Sequence, residues 1–423
     1  MSDTPTPKAG AVTPEPVVDT PSGEERGRAS KILREIANGS ALISVLSVLI
    51  ALVVGAILIA ATDERVEETA LYFFSRPGDM LSAIWQSVSG AYTALFQGAI
   101  FNFRREGFEN QIKPIFETLN FATPLIAAGL GVGLAFRVGM FNIGARGQIL
   151  VAIAAAGWVG FSFDLPPVIH VIVALIAGIA AGSIWGGIVG LLKAKTGAHE
   201  VIMTIMLNFV ALNLVAFLLR TPGALQAAGS NNPKSPPMKE TAIFADLIGP
   251  QYSLHVGFLL VIAATVAVWW LLNRSTLGFA FRAVGENPHA ARTAGINVNM
   301  VYILAMVIAG ALAGLAGANQ VLGTVTSGIT IGLEAGIGFE AITVALLGRS
   351  RPWGIFAAGI LFGAFKAGGY SMQAAEGVPI DIITIVQSLI VLFIAAPPLV
   401  RAIFRIPAPG AKPRVRAIKE AAK

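Results

Sequence analysis

Runs of apolar residues, each close to twenty long and separated by short polar stretches, recur from Ala41 almost to the end of the chain. No other feature restricts the fold as much. A helical run of about 20 residues matches the ~30 Å hydrocarbon layer of a bilayer. No water satisfies backbone N–H and C=O groups inside that layer, so a spanning segment closes its own hydrogen bonds as a helix or joins a sealed barrel. Barrel strands show as alternating segments of about ten residues, and no such alternation is visible here. Charged residues make up only 13% of the 423 and hydrophobic ones 55%, against about 25% charged in a soluble domain. The expected fold class is therefore an all-α polytopic membrane protein. With no cysteine in the chain, a disulfide framework, a thiolate nucleophile and Cys-ligated metal are excluded.

Ten spans are expected: 41–62, 116–136, 148–162, 168–192, 201–220, 254–272, 300–322, 338–348, 353–372 and 380–396. Residues 1–36, rich in Pro, Thr and charge, lack the apolar content to fold and read as a disordered tail. Arg26, Arg28, Lys31 and Arg34 precede the first span, and Asp63, Glu64, Glu67 and Glu68 follow it. Positive residues mark the cytoplasmic side, so the N-terminus is expected inside. Parity then puts Arg137 and Arg146, Lys193 and Lys195, Arg274, Arg282 and Arg292, and Arg349 and Arg351 in inside loops. The short outside loops around Asp164, Glu334 and Glu376 hold no Lys or Arg. The basic tail 399–423 also falls inside, and the net charge of +6 reads as this topology signal rather than as a nucleic-acid patch. The spans and their short connections make one membrane domain, 37–398. Its external segment, 63–114, includes an amphipathic stretch, Met80–Phe103, expected to lie on the outer surface. A Pro- and Asn-rich external loop, 221–253, offers a docking surface.

The inside loop 273–299 is more than a connection. Pro288 suits the first turn of a short helix, Asn287 or Glu286 can cap it, and Gly295 can stop it. Two readings fit: a loop that only fixes topology, or a short helix that presents Arg282, Arg292 and small residues to a cytoplasmic partner. Here the chain resembles a known family. LGFAFRAVGENPHAARTAGINV is similar to the cytoplasmic loop of ABC importer permeases for ribose, branched-chain amino acids and nucleosides, most of all the nucleoside type. GLGVGLAFRVGMFNIGARGQILVA, GAHEVIMTIMLNFVALNL and GFEAITVALLGRSRPWGIFAAGILFGAF resemble the same permeases, in the same order. The resemblance implies that Arg282, Gly285, Glu286, Asn287, Pro288 and Arg292 meet an ATPase. It implies as partners a cytoplasmic ATP-binding subunit, a second related permease and an extracytoplasmic substrate-binding lipoprotein in a bacterial cytoplasmic membrane. If spans 1–5 and 6–10 are repeats, five being odd, the halves have inverted topology, a common transporter plan with interrupted helices near the midplane.

FNIGARGQ, Phe141–Gln148, sets glycines, amides and an arginine beside strongly apolar sequence. It reads either as a re-entrant segment on a substrate path or as a tight cytoplasmic turn anchored by Arg146. Candidate path residues are Asn142 and Gln148, with Asn208, Asn319, Gln320 and Glu340 in later spans, since polar groups at bundle depth face the interior. Interhelical hydrogen bonds are the competing role for each. Phe141 and Phe339 can stack on a base or simply pack. No GxxxxGK[ST] phosphate loop occurs, so no cofactor is expected in this chain and ATP is left to a partner. The function expected is a pore-forming, non-enzymatic subunit importing nucleosides. The alternatives are a simple-sugar permease and an ion-driven transporter built around an intramembrane acid such as Glu340.

Overall fold

The computed structural model describes residues 40–405. The expectations for the tail 1–36, and for most of the basic C-terminal tail, lie outside the described residues. The apolar runs are helices, in chain order α1 (Ser40–Thr62), α2 (Glu64–Ala70), α3 (Pro77–Ala99), α4 (Phe108–Arg137), α5 (Ala145–Ser162), α6 (Pro167–Thr196) and α7 (Glu200–Leu218). The second half continues with α8 (Gly257–Arg274), α9 (Thr276–Glu286), α10 (Pro288–Thr293), α11 (Val298–Asn319), α12 (Ile337–Leu347), α13 (Pro352–Glu376), α14 (Ile380–Ala395) and α15 (Pro397–Ile403). Among the described residues there is no β-strand beyond two isolated bridges in 222–255. Local chemistry sets the ends. Proline opens α6, α10 and α13, where its missing N–H costs nothing. The Asp63 carboxylate caps α2 through the Arg65 N–H at 2.9 Å.

Among the described residues, eight helices are long and apolar enough to cross a membrane: α1, α4, α5, α6, α7, α8, α11 with its terminal π-turn Gln320–Thr324, and α13. Two of the ten expected spans fall short of that standard. Helix α12 has only 11 residues, about 16 Å at 1.5 Å per residue. Helix α14 has 16 and turns by 96° into α15. The helices form an inner and an outer layer. Most of α4 is buried, whereas α1, α6 and α7 are largely uncovered and carry rows of exposed Ile, Leu, Val and Phe.

The two halves repeat one packing plan. Helix α4 lies on α13 as α11 lies on α6, and α12 lies on α4 as α5 lies on α11. Asn120 of α4 meets Thr324 at the end of α11, and Gly131 meets Ala309 and Leu312. These corresponding helices therefore run antiparallel, and the halves are inverted repeats. The α6–α11 contact uses Gly178, Gly182, Gly186 and Gly190 against Met306, Gly310 and Gly314. A Cβ on Gly310 would stand 2.2 Å from the Gly182 carbonyl oxygen, so only glycine lets the backbones approach this closely, as small-residue stripes do in lipid.

Helix α3 does not lie on the surface. Gly90 faces the Glu376 carboxylate at one end of α13, and further along Gly98 meets Ser371 and Leu95 meets Gly368. Its tyrosine, Tyr92, donates to the Leu52 carbonyl of α1, and Thr118 of α4 donates to the Ala99 carbonyl at 2.6 Å. The helix thus descends along α13 toward its middle, and residues 100–107 return to the start of α4. Ser87 and Gln97, which look amphipathic in sequence, are buried against neighbouring helices. The segment enters the bundle without crossing it.

Candidate functional site

Between α4 and α5 the chain is neither a helix nor a surface turn. After Arg137 the chain turns at Val138 and Gly139, runs without regular structure through 140–143 into the bundle and turns again at Gly144, and α5 begins there: Gly144 touches Thr204, Gly147 touches Asn208, and Gln148 touches Gly186. In α7, Thr204 lies four positions and Asn208 eight positions beyond Glu200, so α5 starts about 6–12 Å below that end of the bundle. A helix starting in such a place leaves several N–H groups unsatisfied. Side chains meet that need. The Asn208 carbonyl oxygen accepts from Gly147 N–H at 2.8 Å while its amide donates to the Ile143 carbonyl at 2.9 Å. The Asn142 carbonyl oxygen accepts from Gly144 N–H at 3.0 Å, and Asn142 and Gln148 exchange two amide bonds of 3.3 Å. At the start of the stretch, Glu200 accepts from Phe141 N–H at 3.5 Å and pairs with Lys193 at 2.5 Å.

The second half contains the matching break. After Asn319 the chain widens into the π-turn and then runs irregularly from Val325 to Gly336 before α12 begins. Gln320 donates to the Leu333 carbonyl at 3.1 Å, tying the turn to the returning stretch. Glu334 caps α12: one carboxylate oxygen accepts from Gly338 N–H at 2.6 Å and the other from Gly336 N–H at 3.2 Å. A carboxylate is favourable at this positive end of the helix dipole.

The breaks face each other. A Cβ on Gly338 would stand 2.4 Å from the backbone of Arg146, so the first turns of α5 and α12 touch. Two helix N-termini, both positive ends, meet inside the bundle with Arg146 between them. Glu334 offsets all three: its Oε2 lies 3.3 Å from Arg146 Nε, an ion-pair distance without hydrogen-bond alignment, and only 4% of its side chain is exposed. The Arg146 guanidinium also covers the Phe339 ring at 5.8 Å. One turn on, Glu340 pairs with Lys366 of α13 at 3.0 Å. This corrects the expectation that Arg146 sits in an inside loop and Glu334 in an outside one. Both stretches dip from opposite ends into the bundle, so residues assigned to opposite faces become neighbours.

The candidate path residues thus sort by geometry. Asn142, Gln148 and Asn208 form one buried amide cluster, and Phe339 and Glu340 flank the Arg146–Glu334 contact. Phe141 is 53% and Phe339 47% exposed. Asn319 is apart from these. Its amide returns to the Leu315 carbonyl at 2.8 Å, and its unpartnered oxygen converges with His255 on Gly257. Sequence reasoning missed Glu334 and Lys366 as interior residues; the signal lay in each being a charge embedded among glycines and apolar residues.

At the end of the bundle that carries the arginines, α9 is capped by Ser275, whose hydroxyl accepts from Gly278 N–H at 2.9 Å. The Asn287 side chain caps α10, accepting from His289 and Ala290 N–H at 2.9 and 3.1 Å. Glu286, Asn287 and Arg292 are exposed and Pro288 is half-buried. Arg282 turns instead into a cavity of about 710 Å³ with Arg137, Arg351, Trp269 and Trp353. Gly285 packs on Arg137, where a Cβ would stand 2.2 Å from the carbonyl oxygen. That contact joins α9 to the residue from which the first break departs.

Inverted halves, each with a helix broken inside the bundle, define a polytopic membrane transporter. Residues 114–395 match the family described as branched-chain amino acid transport system / permease component, and the chain belongs to it. Among curated relatives, the guanosine ABC transporter permease NupP of Bacillus subtilis is 40% identical over 73% of this chain and 86% of its own length. The glucose ABC transporter permease TsgB13 of Haloferax volcanii is 37% identical over 66% of this chain and 75% of its own. The nucleoside ABC transporter permease NupB of Lactococcus lactis is 34% identical over 71% of this chain and 83% of its own. No solved structure matches the chain. The protein is the permease subunit of an ABC transporter, a multi-pass membrane component that works with an ATPase.

Proposed function

We propose that the chain imports nucleosides across the bacterial cytoplasmic membrane, with the arginine-bearing end in the cytoplasm. The observation that carries the substrate is its 34–40% identity, over more than two thirds of the chain, to permeases named for guanosine and nucleosides. Its partners in this reading are a cytoplasmic ATP-binding subunit, a second, related permease and an extracytoplasmic lipoprotein that delivers the substrate. Nucleotide-driven closure of the ATPase moves α9 and α10 through their exposed residues. The Gly285–Arg137 backbone contact passes that motion to α4 and so to the first break. Shifting α5 against α12 alters the Arg146–Glu334 contact and switches the path between faces. The amide cluster of Asn142, Gln148 and Asn208 holds the break in shape, while Phe141 and Phe339 offer exposed rings to a passing base. Both carboxylates at the second break are paired with cations.

The glucose relative keeps one other substrate in view, and a single experiment separates the two. Uptake of radiolabelled guanosine, uridine and glucose is compared in cells lacking the gene and in cells with it restored. Nucleoside uptake that depends on the gene supports the proposal. Gene-dependent glucose uptake without nucleoside uptake overturns it.

A further inference from the structure

A second cavity, of about 570 Å³, opens at the opposite end of the bundle from Arg137, Arg282 and Arg351, between α3, α4 and α13. Its volume lies within the ~300–1,000 Å³ of small-molecule sites. The lining is polar but almost uncharged: Gln97, Asn102, Asn120, Thr324, Tyr370 and Ser371 contribute amides and hydroxyls, and the two charges, Arg105 and Glu117, are of opposite sign. The rings of Tyr370 and Phe121 stand 5.6 Å apart at 31°, and Tyr370 is 47% exposed. Asn120 already holds one acceptor contact, taking the Thr324 hydroxyl at 3.1 Å. Gln97 is different: only 4% of it is exposed, and its Nε2 has no hydrogen-bond acceptor among the described residues. A buried amide donor without a partner is costly and needs a reason. A ligand acceptor at this cavity supplies one.

We infer that this cavity is the outer station at which the permease receives its substrate, a neutral solute with a flat ring and several hydroxyls. The ring lies against Tyr370 beside Phe121, as bases lie on aromatic side chains, and an acceptor on the solute takes the Gln97 donor. A balanced lining excludes a strongly charged solute, because a phosphate would need an excess of cation. The station adjoins the second break through Thr324 and Val325, so release from it leads toward the α5–α12 contact. This inference rests on the nucleoside reading above for the identity of the solute.

The chain has no cysteine, so Ser253→Cys, an exposed residue lining the cavity, places one thiol in the permease. The assembled transporter in membrane vesicles is treated with a thiol reagent, with and without guanosine, uridine, ribose or guanosine monophosphate. Guanosine and uridine slow labelling severalfold, and ribose and the monophosphate do not. Adding Tyr370→Leu raises the guanosine concentration for half-protection about tenfold, and Tyr370→Trp restores it, which a purely structural role for the tyrosine would not produce. Labelling indifferent to nucleosides, in vesicles that still import them, overturns the station and leaves the transport reading standing. Protection by ribose alone, with no nucleoside import by the unaltered transporter, overturns the nucleoside occupant together with the reading beneath it.

Discussion

Arg146 and Glu334 carry opposite burdens inside the bundle. Arg146 places a cation between two positive helix ends, and Glu334 is a buried carboxylate whose cost is met by two N–H groups and that cation. Removing one partner of such a pair leaves an uncompensated charge, which costs about 3 kcal/mol, whereas removing both costs less. Arg146→Ala is therefore expected to lower the thermal midpoint of the detergent-solubilised protein more than the double variant Arg146→Ala/Glu334→Ala does. Equal destabilisation by the two would show that the pair is not coupled. His255, just ahead of α8, gives a second prediction. Burial holds its pKa at about 4, below the ordinary 6.5, and it accepts from Gly257 N–H at 3.1 Å while stacking on Phe244. Between these two pH values the unfolded chain takes up the proton and the folded chain does not. Its stabilising contribution is thus complete above pH 6.5 and is lost as pH falls toward 4, by up to about 1.4 kcal/mol per unit. Limited proteolysis of the 221–256 stretch at pH 7 and pH 5 checks this. The acid sensitivity should disappear in His255→Asn.

Helix pairs behave as units because their contact rows repeat. Along α6 and α11 the glycine stripe sets how closely the axes approach, and a single side chain there pushes on backbone, which cannot swing aside. Gly310→Val is expected to cost 3 kcal/mol or more, at or beyond the upper end of ordinary overpacking. Gly332→Val, where a Cβ meets nothing within 4 Å, should cost far less; comparing yields of monodisperse protein tests the difference. At the other extreme is α10, six residues long and held by one cap. Asn287→Ala removes both capping bonds, worth about 1 kcal/mol. The expected result is faster hydrogen exchange across 288–294 and weaker substrate-stimulated ATP hydrolysis in the assembled transporter, with the membrane helices still protected. Gly285 makes a poor probe of coupling. A bulky residue there collides with the Arg137 carbonyl and disturbs packing as well as any partner contact.

For the whole molecule, inverted repeats explain why two broken helices point their starts at one place. A two-fold axis in the membrane plane carries a segment entering from one face onto a segment entering from the other. The absence of cysteine makes the proposed orientation measurable. Asn232→Cys in the long loop should react with a membrane-impermeant thiol reagent on intact cells, and Ala290→Cys in α10 only in inverted vesicles. Reversed accessibility would turn the proposed topology over.

Features set by local chemistry were legible from the residues alone. Apolar run length announced the membrane helices, and proline followed by a short helix and glycine announced α10, because hydrophobic transfer and capping act within a few residues of chain. The glycine-rich FNIGARGQ was recognisable as unusual, though not how it is used: its amides brace the break. Burial of α3 was not legible, since its polar residues are neutralised by distant helices rather than by water. Nor was the meeting of Arg146 with Glu334, or the cavity shared by Gln97, Asn120 and Tyr370. Those juxtapositions join residues far apart in the chain, and their energy comes from long-range packing and low-dielectric pairing, so only the tertiary structure decided them.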